Sequence, residues 1–223
     1  MSELRLRLAR EADAEAICRI YNQGIEDRLA TLESELRTAE ERRKWLASRG
    51  PRHPVVVAET VVAGAARPLR AVGGLVPEVP ATRASGGPPA ERAGHAVPAT
   101  DAATRASGGP PAERAGHAVP ATTVGWGSLN LFNPREAYRF VADFSVYVER
   151  SWRGKGVGSL LLERLIELAR QHGYHKMVLS AFPTNTSGIA LYEKFGFRTV
   201  GIYHEQGLLD GAWVDTIVME KLL

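Results

Sequence analysis

The chain carries a single cysteine, Cys18, so no disulfide can close within it, and a reducing cytoplasm fits. Beside Ile17 and Ile20, Cys18 reads as a small buried hydrophobe rather than a reactive thiol. No stretch approaches the ~18 continuous apolar residues of a membrane span. Residues 1–11 mix Arg and Glu where a signal peptide needs an apolar core, so the expected location is the cytoplasm, away from any membrane. Runs of five or six like charges are also missing, and the formal net charge is only +3, so the electrostatics call for no nucleic-acid partner. Hydrophobic residues at 44% and charged residues at 24% match an ordinary globular chain and argue against wholesale disorder.

One region departs from that composition. Residues 81–100 read ATRASGGPPAERAGHAVPAT, and residues 103–122 repeat them letter for letter. The unit is rich in Ala, Gly and Pro, contains no aromatic residue, and cannot bury enough apolar surface to offset its ordering entropy. Two copies are too few for a stacked solenoid. Residues 60–123 are therefore expected to form an insertion interrupting one domain that spans residues 1–223. His95 and His117, equivalent in the two copies, read as solvated loop histidines rather than metal ligands, and no metal site is expected.

The rest of the chain alternates helix and strand signals. Leu4, Leu6 and Leu8 alternate with arginines, as in a half-buried strand. Asp13 is placed to cap a helix carrying Ala16, Ile17, Ile20 and Tyr21 on one face. Thr38 and Glu41 have the spacing of a capping box for a second helix through Trp45 and Leu46, ended by Gly50 and Pro51. Residues 54–59 and 124–131 read as strands whose connection is the insertion, and residues 140–149 as another. A long amphipathic helix is expected over 156–172, with Leu160, Leu161, Leu165, Ile166, Leu168 and Ala169 apolar. A strand over 176–181, a helix over 186–195 and strands over 198–204 and 212–221 complete the order β-α-α-β-β-β-α-β-α-β-β. This order mixes antiparallel hairpins with one βαβ crossover, an α/β fold with a mostly antiparallel sheet and flanking helices.

The chemistry concentrates in Val146-Tyr147-Val148-Glu149-Arg150-Ser151-Trp152-Arg153-Gly154-Lys155-Gly156-Val157-Gly158-Ser159, where a strand enters a Gly-rich turn and then a helix. Backbone N–H groups of such a turn, together with the helix N-terminus, make a site for phosphate oxygens. Gly154, Gly156 and Gly158 allow close backbone approach, and Arg153 and Lys155 add positive charge. Two other phosphate motifs are excluded. The third glycine of a dinucleotide fingerprint is replaced by Ser159 or Leu161, and Gly154-Lys155-Gly156 breaks the P-loop pattern.

Arg-x-x-Gly-x-Gly after the strand Ser145-Val146-Tyr147-Val148 resembles the acetyl-CoA motif of the GCN5-related N-acetyltransferases (GNAT). Asn185 and the stretch Ala190-Leu191-Tyr192-Glu193-Lys194-Phe195-Gly196-Phe197 resemble the family's later motif. Residues 20–28, Phe144–Val148, Phe182-Pro183 and Leu209-Asp210-Gly211 are similar to the phosphinothricin and arsinothricin N-acetyltransferase branch. The resemblance covers nearly the whole chain apart from the insertion, which replaces a short hairpin of the family.

It implies direct transfer of acetyl from acetyl-CoA, the co-substrate, to a small-molecule amine, in a homodimer. Asp143 stands where the branch places an acidic residue and is the candidate general base, direct or through water. Backbone N–H groups of Val146, Tyr147 and Val148 would stabilise the developing oxyanion if this strand splays from its neighbour. Tyr192 is the candidate acid for the leaving thiolate, on the premise that phenol (~10) and thiol (~8.5) are close in pKa. Arg153, Gly154, Lys155, Gly156, Val157, Gly158, Ser159, Asn185 and Lys194 would hold the cofactor. A phosphinate or arsinate acceptor needs cations, for which Arg28 and Arg139 are candidates, with Glu33 on the amine. Two rival readings stay open: an acetyltransferase for another amine (a protein N-terminus, a polyamine, an antibiotic), and a non-catalytic acyl-CoA-binding module.

Overall fold

A computed structural model describes residues 3–61 and 121–223. The duplicated unit up to residue 120, His95, His117 and nearly all of the stretch read as an insertion lie outside the described residues. The flanks of that stretch are ladder. Strands β2 (Val55–Val61) and β3 (Thr122–Leu131) pair antiparallel, with Thr60 opposite Thr122. Residues 60, 61, 122 and 123, expected in the insertion, are therefore strand, and the two ends of the excursion are neighbours.

The described elements follow the expected order. Strand β1 (Glu3–Leu8), helices α1 (Ala14–Glu26) and α2 (Ala39–Ala47), β2, β3 and β4 (Val141–Val148) come first; α3 (Val157–Gln171), β5 (Lys176–Ala181), α4 (Thr186–Lys194), β6 (Arg198–Leu209) and β7 (Ala212–Leu222) follow. They build one seven-stranded sheet in the order β1-β2-β3-β4-β5-β7-β6. β4 and β5 are parallel and the other neighbours antiparallel.

Helices cover both faces of the sheet, which explains why Val55, Val56, Val57 and Ala58 are all buried rather than alternating. Val56 and Ala58 join the cluster under α3, with Leu161, Leu162 and Leu165. Val55 and Val57 join Ile17, Ile20, Tyr21 and Trp126 under α1. In α3, Leu160 is 37% exposed, and Leu162, which the sequence pattern passed over, is fully buried.

Two local expectations meet different outcomes. The Thr38–Glu41 capping box forms, each side chain accepting from the other's backbone N–H. Asp13 does not cap α1. A single 3₁₀ turn over Glu11–Asp13 precedes that helix and puts Asp13 in the helical region (φ −81°, ψ −9°), where its carboxylate cannot fold back onto the first turn. The carboxylate instead grips Arg7 at 2.7 and 2.8 Å and accepts from the Arg10 N–H at 2.7 Å. Buried Glu59 likewise receives Arg5 and Arg7. Burial opposes its charge, and the two guanidinium groups hold its carboxyl below the usual range. β6 extends five residues past the expected His204 because it pairs with β7 as far as Leu209 opposite Ala212, closed by Asp210 and Gly211, both at positive φ.

The feature that matters for function lies at the sheet's centre. β4 and β5 pair only over Val141–Lys176, Ala142–Met177 and Asp143–Val178. Beyond Asp143, β4 keeps β3 on its other edge as far as Val148, whereas β5 continues alone against β7. The strands splay, and Asp143 stands at the crotch.

Candidate active site

A cleft of about 510 Å³ opens at the splay. Its floor is Val146, Tyr147 and Val148 of β4. One wall is Trp152, Arg153, Gly154, Gly156, Gly158 and Ser159 of the turn and α3. The opposite wall is Asn185, Ser187, Gly188, Leu191 and Tyr192 of α4, and Ile20, Gly24, Leu29 and Ala30 close it from the α1 side. The edge of β4 facing β5 is unpaired over this floor, so alternate N–H and C=O groups face the gap.

The turn is shaped for an anion. Gly154 and Gly156 have φ of +73° and +84°, a conformation that side chains with a Cβ rarely adopt. Space is also open above both, since an added Cβ would meet nothing within 4 Å. Gly158 differs: its added Cβ would stand 3.1 Å from Leu191, so it lets α3 approach α4. Leu160 N–H makes the first helical bond, to Gly156 O at 3.1 Å, which leaves the N–H groups of Val157, Gly158 and Ser159 uncommitted at the positive end of the helix dipole. Arg153 does not offer a bare charge: it pairs with Asp27 at 2.7 Å and donates to Val148 O. Lys155 lies over the Trp152 ring, 5.3 Å from its centre. Asn185 caps α4 by accepting from Gly188 N–H at 3.0 Å. Lys194 is exposed in the last turn of α4, away from the lining.

Asp143 and Tyr192 lie within electrostatic reach of each other across the splay. Burial pushes the Asp143 carboxyl up to about 6, against hydrogen bonds from Asn130 and the Phe144 N–H that lower it. Burial, and then the Asp143 charge, push the Tyr192 phenol up to about 12. This exceeds the ordinary phenol value assumed from the sequence, so Tyr192 holds its proton throughout the physiological range. Its ring packs edge-on against Phe144, centroids 5.8 Å apart.

On the α1 side, Tyr147 stacks on Trp126 (4.7 Å, 18°) and lies 4.9 Å from Tyr21. Arg42 is 9% exposed and has its guanidinium 3.8 Å from the Tyr21 ring centre. Burial pushes the Tyr147 phenol well above its ordinary value, and the nearby Arg42 charge opposes that rise. Among the described residues Arg42 has no carboxylate partner.

The three residues expected on the acceptor do not line the cleft. Arg28 (φ +52°) spans to Asp210 at 2.7 Å, tying the α1–α2 loop to the β6–β7 turn. Glu33 pairs with Arg37 at 2.7 Å. Arg139 pairs with Glu136, lies over Phe140, and borders a separate pocket of about 130 Å³ with Arg52 and Arg135. Sequence reasoning passed over Arg42, Trp126 and Asn130. The relevant signal was available only as strand alternation, which puts Trp126, Ser128 and Asn130 on one face of β3.

Among the described residues no group of His, Cys, Asp and Glu could hold a metal, and no helix is long and apolar enough to cross a membrane.

Residues 98–197 match the acetyltransferase (GNAT) family. An L-methionine sulfoximine/L-methionine sulfone acetyltransferase of Pseudomonas aeruginosa is 37% identical over 44% of this chain and 56% of its own. A phosphinothricin N-acetyltransferase of Streptomyces coelicolor is 24% identical over 100% of this chain and 98% of its own. The crystal structure of a ribosomal-protein-alanine N-acetyltransferase from Brucella melitensis superposes with a TM-score of 0.67 at 28% identity, covering 98% of this chain and 99% of that one. The Sinorhizobium meliloti phosphinothricin acetyltransferase in complex with acetyl-CoA gives 0.67 at 23%, over 99% and 88%.

Proposed function

The chain belongs to the GNAT acetyltransferase family, and from that premise we propose that it acetylates the α-amino group of a small amino-acid-like toxin such as phosphinothricin, arsinothricin or methionine sulfoximine. It is an N-acetyltransferase with acetyl-CoA as donor. The observation that carries the acceptor reading is the aromatic and cationic cluster behind the α1 side of the cleft, where, among the described residues, buried Arg42 stands without a carboxylate partner near Tyr147. A zwitterionic acid supplies the anion that such a guanidinium lacks.

Acetyl-CoA brings the activated thioester, and the chain's residues do the rest. The open turn at Gly154 and Gly156 and the uncommitted N–H groups of Val157, Gly158 and Ser159 fit a pyrophosphate. Asp143, raised to about 6, is ionised at neutral pH and basic enough to take a proton from the attacking amine, directly or through a water. N–H groups on the free edge of β4 steady the acetyl oxygen. Tyr192, protonated throughout, returns a proton to the thiolate sulfur. Arg28 and Glu33 shape the acceptor's mouth through the α1–α2 loop. The protein works as a homodimer in the cytoplasm, and residues 62–120 form an insertion that the catalytic domain does not need.

Thiol release from acetyl-CoA with a panel of amines tests the acceptor: phosphinothricin, arsinothricin, methionine sulfoximine, a polyamine and an alanine-terminated peptide. Turnover confined to the acidic amino-acid analogues supports the reading. Turnover confined to the peptide or the polyamine discards it and keeps the donor.

A further inference from the structure

Asn130 faces Asp143 directly across the β3–β4 ladder, and Ser128 faces Ser145 one step along. Alternation puts all four side chains on the same face. Asn130 Nδ2 donates to Asp143 Oδ2 at 3.3 Å and to Ser145 Oγ at 3.1 Å. Its Oδ1 accepts from Arg49 Nη2 at 2.8 Å and from Ser128 Oγ at 2.9 Å. An amide has two donor hydrogens and two acceptor lone pairs, so every hydrogen-bonding position of Asn130 is used.

The orientation of this amide follows from chemistry. A guanidinium has donors only, so the amide face turned to Arg49 must be the oxygen, and the face turned to Asp143 must be the NH₂ group. Arg49 is itself fixed: its Nε donates to His53 O at 3.0 Å, its Nη2 also reaches Leu129 O, and its guanidinium lies 4.9 Å from the Trp45 ring centre. No carboxylate partners it among the described residues. Its positive charge falls on the amide oxygen, polarises the amide, and strengthens the N–H groups offered to Asp143.

We infer that Asn130, locked by Arg49 and Ser128, is the positioning residue that orients the Asp143 carboxylate and keeps it ionised at neutral pH. The inference rests on the reading of Asp143 as general base and adds what makes that base usable in a buried site. The other groups facing this cluster leave the role to Asn130. Tyr192 of α4 is protonated below about 12. His53 is held below its ordinary value by burial, Arg49, Arg52 and His172, and only its backbone carbonyl touches Arg49.

The test is kcat/KM across pH 5 to 9, taken as the ratio of variant to wild type so that the acceptor's own titration cancels. Loss of a hydrogen bond to the charged form raises a carboxyl pKa. For Asn130→Ala the ratio should therefore fall about tenfold more below pH 6 than above pH 8, the effect of about one unit. Arg49→Met, farther from the carboxylate, should shift the same limb the same way in wild type and leave it unmoved in the Asn130→Ala background. A pH-independent ratio for both variants, with Asp143→Asn inactive, overturns the positioning role and leaves the base reading standing. If Asp143→Asn keeps wild-type rate and profile, the base reading fails and this inference fails with it. Should Asn130→Ala not fold, the Arg49→Met profile decides.

Discussion

The two walls of the cleft are built in opposite ways. The donor wall comes from one unbroken stretch, Val146 to Ser159, and works through its backbone: positive φ at Gly154 and Gly156, a helix N-terminus, and the free edge of β4. Behind the side proposed for the acceptor, side chains far apart in sequence pack together. Trp126 stacks on Tyr147, Arg42 covers Tyr21, and Asn130 reaches Asp143. Phosphate recognition by N–H groups needs only a local chain path, so it is written locally. Orienting a carboxylate and an amine requires several elements held in register.

If that division is right, substitutions on the two walls should separate in what they change. The largest effect belongs to Asp143→Asn, with kcat/KM down by about 10²–10⁴ at pH 8 and acetyl-CoA affinity, measured by calorimetry, unchanged. Equal losses in both would merge the two walls. Tyr192→Phe keeps the ring packed against Phe144 and removes the proton donor. Its kcat should fall about 10²-fold, with the loss persisting at every pH below 9, because a phenol near 12 does not titrate there. Gly156→Val forces a β-branched residue to positive φ, which costs about 1–3 kcal/mol. It should weaken acetyl-CoA about tenfold or more while the amine KM stays put, the converse of the acceptor wall. Arg42→Met should raise the KM for an acidic acceptor about tenfold, by the ~1.4 kcal/mol scale of a charge-assisted hydrogen bond, and leave acetyl-CoA binding alone. The smallest effect is expected from replacing residues 62–120 by a two-residue turn: Thr60 and Thr122 already face each other, so the cooperative melt and the activity should survive. Loss of the melt would make the stretch part of the fold.

The same division explains what could be read from the chain before its structure. The element order and the α3 turn were legible because strand alternation, helical period and glycine spacing are local signals. Likeness to a family motif, and not their own chemistry, singles out Asp143 and Tyr192 in the sequence for their proposed roles. The environments that set their acidity were hidden. Burial of Asp143 depends on the splay, and the shift of Tyr192 depends on Asp143 across it. Arg28 and Arg139 are candidate cations for a phosphinate or arsinate acceptor and Glu33 a candidate for its amine, and each has an internal partner: Asp210, Glu136 and Arg37. Charge type says nothing about whether a partner is at hand. Asn130 gave only its place in the alternation of β3, because an asparagine in a strand acquires meaning only when the register sets it opposite Asp143. Asp13 misled for a related reason, since a capping residue is recognisable by type but caps only in an extended conformation.

The most direct test of Asp143 as the base is the rate of thiol release from acetyl-CoA, with methionine sulfoximine as acceptor, for wild type and Asp143→Asn from pH 5 to 9. Wild type should release thiol in an amine-dependent way, and the variant-to-wild-type ratio should be lowest above pH 7. Below about pH 6, where the half-buried carboxyl of the wild type takes up its own proton, the ratio should climb towards one. A ratio near one at every pH would contradict that role, because the amine would then be losing its proton to some group other than Asp143.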